Sequence, residues 1–139
     1  MSLISEEELL RMPASDYMND SQLAFFRQRL LDLKEETLAA ISASRAEIAT
    51  TDLAAADELD RAAAEEESRQ RLRFTERKYL LLRKIESTLD KIEEGEYGYC
   101  EVSGDPIGLQ RLLLRPTATL SFEEKARQEA QERNFSKRR

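Results

Sequence analysis

From Leu23 onward the apolar residues fall at Leu23, Phe26, Leu30 and Leu33, a 3-4-3 spacing. That spacing predicts one stripe along a helix, the seam of an antiparallel coiled coil. The stripe weakens to Leu38, Ile41, Ala46 and Ile48, with small Ala and Ser residues between. Thr50-Thr51-Asp52 break the period, and Leu53–Ala56 are expected to turn the chain. A second helix is predicted from about Asp57 to Glu94, its seam clearest at Tyr79, Leu82, Ile85, Leu89 and Ile92. Gly95 follows as the C′ residue that ends many helices. At about 1.5 Å per residue this second helix is roughly 55 Å long.

Local signals bound the rest. Residues 1–18 lack a clear period, contain Pro13, and read as a loose or partly helical leader. Asn19-Asp-Ser-Gln22 has the form of a capping box, with Asn19 at the N-cap and Gln22 at N3. The expected divisions are therefore a leader at 1–18, a hairpin at 19–94 with its tip near 50–62, a small body at 95–124, and a helix with a basic tail at 122–139. The body is rich in Gly, Pro and Leu and is expected to contain short β-like segments. Tyr97, Tyr99, Ile107, Leu109, Leu112, Leu114, Leu120 and Phe122 are its candidate core. A two-helix hairpin buries little area per residue, so its base must pack on that body.

Composition narrows the function classes. Charged residues make up 36% of the 139 positions, aromatics 6%, and there is no Trp, the profile of solvated helices with a thin core. A net charge of −6 argues against general binding to nucleic acid or anionic membranes, which needs a basic surface. Positive charge is nevertheless concentrated between Arg69 and Lys84 and in the last residues, 134–139. No apolar run approaches the roughly 18–20 residues of a membrane span, and the acidic start is unlike a signal peptide. One cysteine excludes an internal disulfide framework, and a cytoplasmic location is expected.

The candidate chemistry sits at the predicted tip. Asp57 and Asp60 are three residues apart and share a helix face. Both also suit N-cap and first-turn positions, where carboxylates complement the helix dipole, so capping and partner contact both stand. A general acid/base role is disfavoured, because an exposed tip has no desolvated pocket to tune a carboxyl. No catalytic residue is assigned, and the chain is read as a non-enzyme.

Four segments together carry a family resemblance. They are Tyr17-Met-Asn-Asp-Ser-Gln-Leu-Ala-Phe-Phe-Arg27, Asp57-Glu-Leu-Asp60-Arg-Ala62, Lys84-Ile-Glu-Ser-Thr-Leu89, and the frame from Tyr97-Gly-Tyr-Cys100 to Leu120-Ser121-Phe-Glu-Glu124-Lys125. In these the chain resembles the DksA/TraR family over most of its length. The resemblance implies a mainly α fold: a long antiparallel coiled-coil hairpin, a zinc-ribbon-like body and a C-terminal helix. It implies RNA polymerase as partner, with the hairpin in the secondary channel and Asp57, Asp60 and Ala62 near the active centre. Lys84, Arg115 and Lys125 match positions that bind the alarmone ppGpp together with polymerase. The implied outcome is weaker initiation at ribosomal RNA promoters and stronger initiation at some biosynthetic ones, without sequence-specific DNA binding.

The metal frame departs from the family. Its four ligand positions, of C-x2-C…C-x2-C spacing, hold Cys100, Ser103, Ser121 and Glu124. Serine is a poor zinc ligand and the chain has no histidine, so zinc is not expected and the body is read as a degenerate, metal-free ribbon. Two rivals remain. A Gre-like transcript-cleavage factor would use an acidic tip to hold a second catalytic Mg²⁺. A structural coiled-coil adaptor would self-associate through an apolar outer stripe, whereas the charged outer faces here predict a monomer.

Overall fold

A computed structural model describes residues 3–54 and 58–137, with only the backbone of 51–54, 58–60 and 137. In order, α1 spans Glu6–Arg11, a 3-10 turn Ala14–Asp16, α2 Asp20–Ala54, α3 Glu58–Glu94, α4 Leu109–Leu114 and α5 Phe122–Lys137. The fold is mainly helical, and α2 and α3 pack as an antiparallel hairpin. α2 runs on to Ala54, through the Thr50–Asp52 segment expected to break it, and the expected turn at 55–57 lies outside the described residues. Two compact units divide the chain: a base, Met1–Leu30 with Thr88–Arg139, and an arm, Leu31–Ser87.

The base is built from the ends of the two long helices. At the start of α2, the Gln22 N–H donates to Asn19 Oδ1 (3.0 Å), and Gln22 Oε1 accepts from the Met18 N–H (2.9 Å). This is the predicted capping box displaced by one residue on its return bond. Met18 itself turns with φ of +58°. At the end of α3, Glu96 N–H bonds Lys91 C=O (2.9 Å) and Gly95 N–H bonds Ile92 C=O (3.2 Å), with Gly95 at φ +78°. That pair of bonds is a Schellman stop. Phe25, Phe26 and Leu30 are buried, with Phe26 5.7 Å from the Tyr97 ring, and Leu9 of α1, Cys100, Ile107 and Leu112 are buried as well.

The Tyr17 phenol ties in the end of the leader, beside the buried Leu9 and the Glu6–Arg29 pair. Tyr17 Oη donates to Gly98 C=O (2.6 Å) and accepts from the Gly108 N–H (3.0 Å). Its ring meets Tyr99 edge-on at 5.6 Å. Tyr97 Oη donates to Pro116 C=O (2.9 Å) and Arg111 Nε donates to Leu120 C=O (3.0 Å), closing the loop that follows α4. The body differs from expectation. Among the described residues the expected β-like segments reduce to one isolated bridge, Tyr99 with Pro106. Leu114 is 85% exposed and Phe122 73% exposed, so neither joins the core. The cause is local: α4 ends at Leu114 and α5 begins at Phe122, and each presents its terminal apolar residue outward.

In the arm the seam also departs from the predicted one. Thr37 and Ser44 are buried where Leu38 and Ala46 were expected, because the 30-33-37-41-44 register continues the first turns' stripe. Leu38, Leu72 and Leu80 are about half-exposed, so the arm's outer face is less uniformly charged than its composition implies.

One pair of substitutions tests the base. Gly98 has φ +93° and a Cβ there would sit 2.8 Å from Met18 Cγ and Sδ. Gly104 has φ +77° with nothing within 4 Å of such a Cβ. Gly104→Ala is expected to cost about 1–2 kcal/mol from conformation alone, and Gly98→Ala about 1–3 kcal/mol more from crowding. Urea melts of the two variants check this, and equal losses would remove Met18 packing as a cause.

Candidate functional site

The structure locates the predicted residues unevenly. Asp57 lies outside the described residues. Asp60 lies in the first turn of α3, and Ala62 is exposed two residues further on. Lys84 is exposed on α3 within the arm unit. Arg115 and Lys125 belong to the base unit. Arg115 is exposed at the C-cap of α4, where its N–H bonds Arg111 C=O (2.8 Å) and its C=O accepts from Ala118 (3.0 Å). Lys125 is half-buried in the first turn of α5, its N–H on Ser121 C=O (2.9 Å). Both cations are thus carried on backbone fixed by helix-end hydrogen bonds.

Three of the four frame positions, Cys100, Ser103 and Ser121, are brought together, and Glu124 follows in the first turn of α5. A tight turn closes from Cys100 to Asp105, with Cys100 N–H on Asp105 C=O (2.8 Å) and Gly104 N–H on Cys100 C=O (2.9 Å). Glu101 N–H reaches Thr119 C=O (2.9 Å), which draws this turn against the segment leading into α5. There the Ser121 hydroxyl caps α5 by accepting from the Glu124 N–H (3.2 Å). Cys100 is buried and its sulfur is the focus. Burial pushes its thiol up, but hydrogen bonds from the Ser103 hydroxyl and the backbone N–H groups of Ser103, Ser121 and Val102 outweigh that. The thiol falls from 9.0 to about 6. Glu124 lies 3.8 Å from Arg127. Nearby, Lys91 of α3 pairs with Glu101.

Sequence reading had no signal for Tyr17 or Arg111 as positioning residues. Each acts through one polar atom on a distant carbonyl, a contact that leaves no period or spacing. Tyr17 heads one of the family-like segments, but that places it in the chain and says nothing of the carbonyl it reaches.

A two-helix hairpin whose base carries a folded finger frame defines the DksA/TraR class of proteins. Comparison with known proteins agrees. Residues 22–92 match the family described as DnaK suppressor protein DksA, N-terminal domain, and residues 95–130 match the prokaryotic dksA/traR C4-type zinc finger. The RNA polymerase-binding transcription factor DksA of Caulobacter vibrioides is 43% identical over 123 residues, 87% of each chain. The factor of the same name from Escherichia coli K12 is 37% identical over 141 residues, covering 98% of this chain and 90% of the relative. The structure of transcription factor DksA2 from Pseudomonas aeruginosa superposes with a TM-score of 0.84 at 45% identity, over 93% of this chain and 99% of that one. The chain belongs to the DksA family.

One expectation is corrected by these matches. Zinc was not expected, from the loss of three cysteines, but the match of 95–130 to a C4-type zinc finger points to zinc binding in this segment. The donors at the four positions are the Cys100 sulfur, the Ser103 and Ser121 hydroxyls and the Glu124 carboxylate. Among the described residues no group of three or more His, Cys, Asp or Glu converges. The frame therefore fits the four-thiolate set at one position, where the hydrogen bonds on Cys100 already favour the thiolate a metal requires.

The thiol makes stability depend on pH. Its folded value lies below its unfolded one, so between about 6 and 9.0 the unfolded chain holds the extra proton. The thiolate's contribution is complete above the unfolded value and is lost as pH falls through about 6. In EDTA-containing buffer, melting temperature should rise from pH 5.5 to 8.5 more steeply for wild type than for Cys100→Ala. Ser103→Ala should move the thiolate absorbance titration upward; an unmoved titration would contradict the assigned hydrogen bond.

Proposed function

We propose that this chain is an RNA polymerase-binding transcription factor that acts on initiation by entering the polymerase secondary channel with its hairpin. The observation that carries this reading is continuity: one named relative, the E. coli factor, aligns over 98% of the chain, covering hairpin, finger frame and C-terminal helix together. Among the described residues no helix is long and apolar enough to cross a membrane.

In this reading the hairpin presents Asp57, Asp60 and Ala62 to the polymerase active centre. No bond is made or broken by the chain. Its effect is a population shift: the tip binds one polymerase conformation better than another, and the difference in binding free energy sets the size of the effect. Open complexes at ribosomal RNA promoters lose stability, and promoters limited by a different step gain. Lys84, Arg115 and Lys125 each supply a cation toward ppGpp. Exposed ion pairs are worth about 0–1 kcal/mol each, so polymerase completes the site and the isolated chain holds the nucleotide weakly. The chain acts as a monomer.

Asp60→Asn is expected to abolish the effect on a ribosomal promoter in single-round transcription, while polymerase affinity changes by no more than a few-fold. Its melt should barely move, because a first-turn charge is worth about 0.3–1 kcal/mol. Full inhibition by this variant would remove the tip from the mechanism, and cleavage of backtracked transcripts by wild type would favour a Gre-like activity instead.

Lys84→Ala, Arg115→Ala and Lys125→Ala should each erase the ppGpp-dependent increment of inhibition and spare the ppGpp-independent part. Titration of each variant on one promoter with and without ppGpp measures both parts. Variants that keep the whole increment would make these three residues ordinary surface charges.

A further inference from the structure

The arm unit has an inverted interior. Among its described side chains the enclosed positions are Thr37, Ile41, Ser44, Ser68, Thr75 and Ile85, mostly hydroxyl-bearing, while Leu38, Leu72 and Leu80 stand about half-exposed. Buried hydroxyls add polar attraction between two helices only through bonds that cross between them. Two of these hydroxyls bond within their own helix. Thr37 Oγ1 donates to Leu33 C=O (2.7 Å) and Thr75 Oγ1 to Arg71 C=O (2.8 Å), each four residues back on its own helix. Such bonds survive separation of the helices and tend to bend them.

One buried hydroxyl pair crosses between the helices, with polar contacts nearer the surface beside it. Ser44 Oγ meets Thr75 Oγ1 at 2.8 Å and Arg71 C=O at 3.5 Å. Arg45 donates to Tyr79 Oη at 3.3 Å between exposed groups. Arg71 pairs with Glu47 across the helices, also near the surface, where screening leaves little net energy. The same layer buries Arg71 Nε without a hydrogen-bond partner. A lost partner at a buried polar atom favours any opening that hydrates it.

We propose that the Leu31–Ser87 hairpin is a separately opening unit, whose helices part at the Ser44–Thr75 hydroxyl layer while the base remains folded. The opening is a local one of low free energy, distinct from global unfolding. It depends on this chain alone and not on the polymerase reading.

Hydrogen exchange of the intact full-length protein, read by mass spectrometry on peptides, tests it. Peptides over 38–50 and 66–80 should exchange at least tenfold faster than those over 22–30 and 97–112. Ser44→Val/Thr75→Val, which removes both hydroxyls together, should slow the arm peptides at least tenfold and leave the base peptides unchanged. Ser44→Cys/Thr75→Cys gives an independent comparison: oxidation should slow arm exchange and reduction should restore it in the same sample. The proposal is overturned if wild-type arm peptides exchange no faster than base peptides. It is equally overturned if neither the valine pair nor the oxidised cysteine pair slows them.

Discussion

The structure depends on enclosure at the base. Two helices of 35 and 37 residues cannot be held by each other alone, because a pair of cylinders buries a single stripe on each. Phe25, Phe26 and Leu30 near the start of α2 are enclosed together with Tyr97 after the Schellman stop of α3. The chain entering α2 is then locked to the chain leaving α3 by the Tyr17 phenol, which accepts from one backbone and donates to another. Gly98 is the contact surface for this lock: its carbonyl takes both the Tyr17 hydroxyl and the Ile107 N–H, and its missing side chain admits Met18. The ends of the long helices, a short leader and a finger-like loop are thereby made into one folded unit.

The finger frame illustrates how a site can keep its geometry while its donors change. The turn from Cys100 to Asp105 is maintained by backbone hydrogen bonds, which depend on chain path and not on side-chain identity, whereas the cap at Ser121 uses that residue's own hydroxyl. Three of the four positions have exchanged sulfur for oxygen, yet the Cys100 sulfur still lies where donors from Val102, Ser103 and Ser121 converge. Reading the residue types alone led to an expectation of no metal. The match of the whole segment to a C4-type zinc finger corrected it, because that comparison weighs the frame as well as the ligands.

Much of the fold was legible. Spacing of apolar residues located both long helices, Gly95 marked the end of the second, and Asn19 with Gln22 marked the start of the first. Less was legible in the seam beyond Leu33. Leu38 and Ala46 were favoured there by hydrophobicity, whereas helix register buried Thr37 and Ser44. Short apolar segments in the body looked β-like, but α4 formed instead, since six residues carry too little period to distinguish the two. For the candidate site, the residue identities came from family resemblance, and the structure contributes the backbone anchoring of Arg115 and Lys125 and the assembly around Cys100.

The sequence by itself determined the two long helices, the C-terminal helix and the family to which they belong, because helix period, capping residues and glycine stops are encoded within a few turns of chain. Tertiary structure alone decided what those elements enclose. Tyr17 with Gly98, separated by 81 positions, and Tyr17 with Gly108, separated by 91, are polar contacts of single atoms. Such pairs have no local signature, since the free energy that selects them arises only when both backbones have already been removed from water.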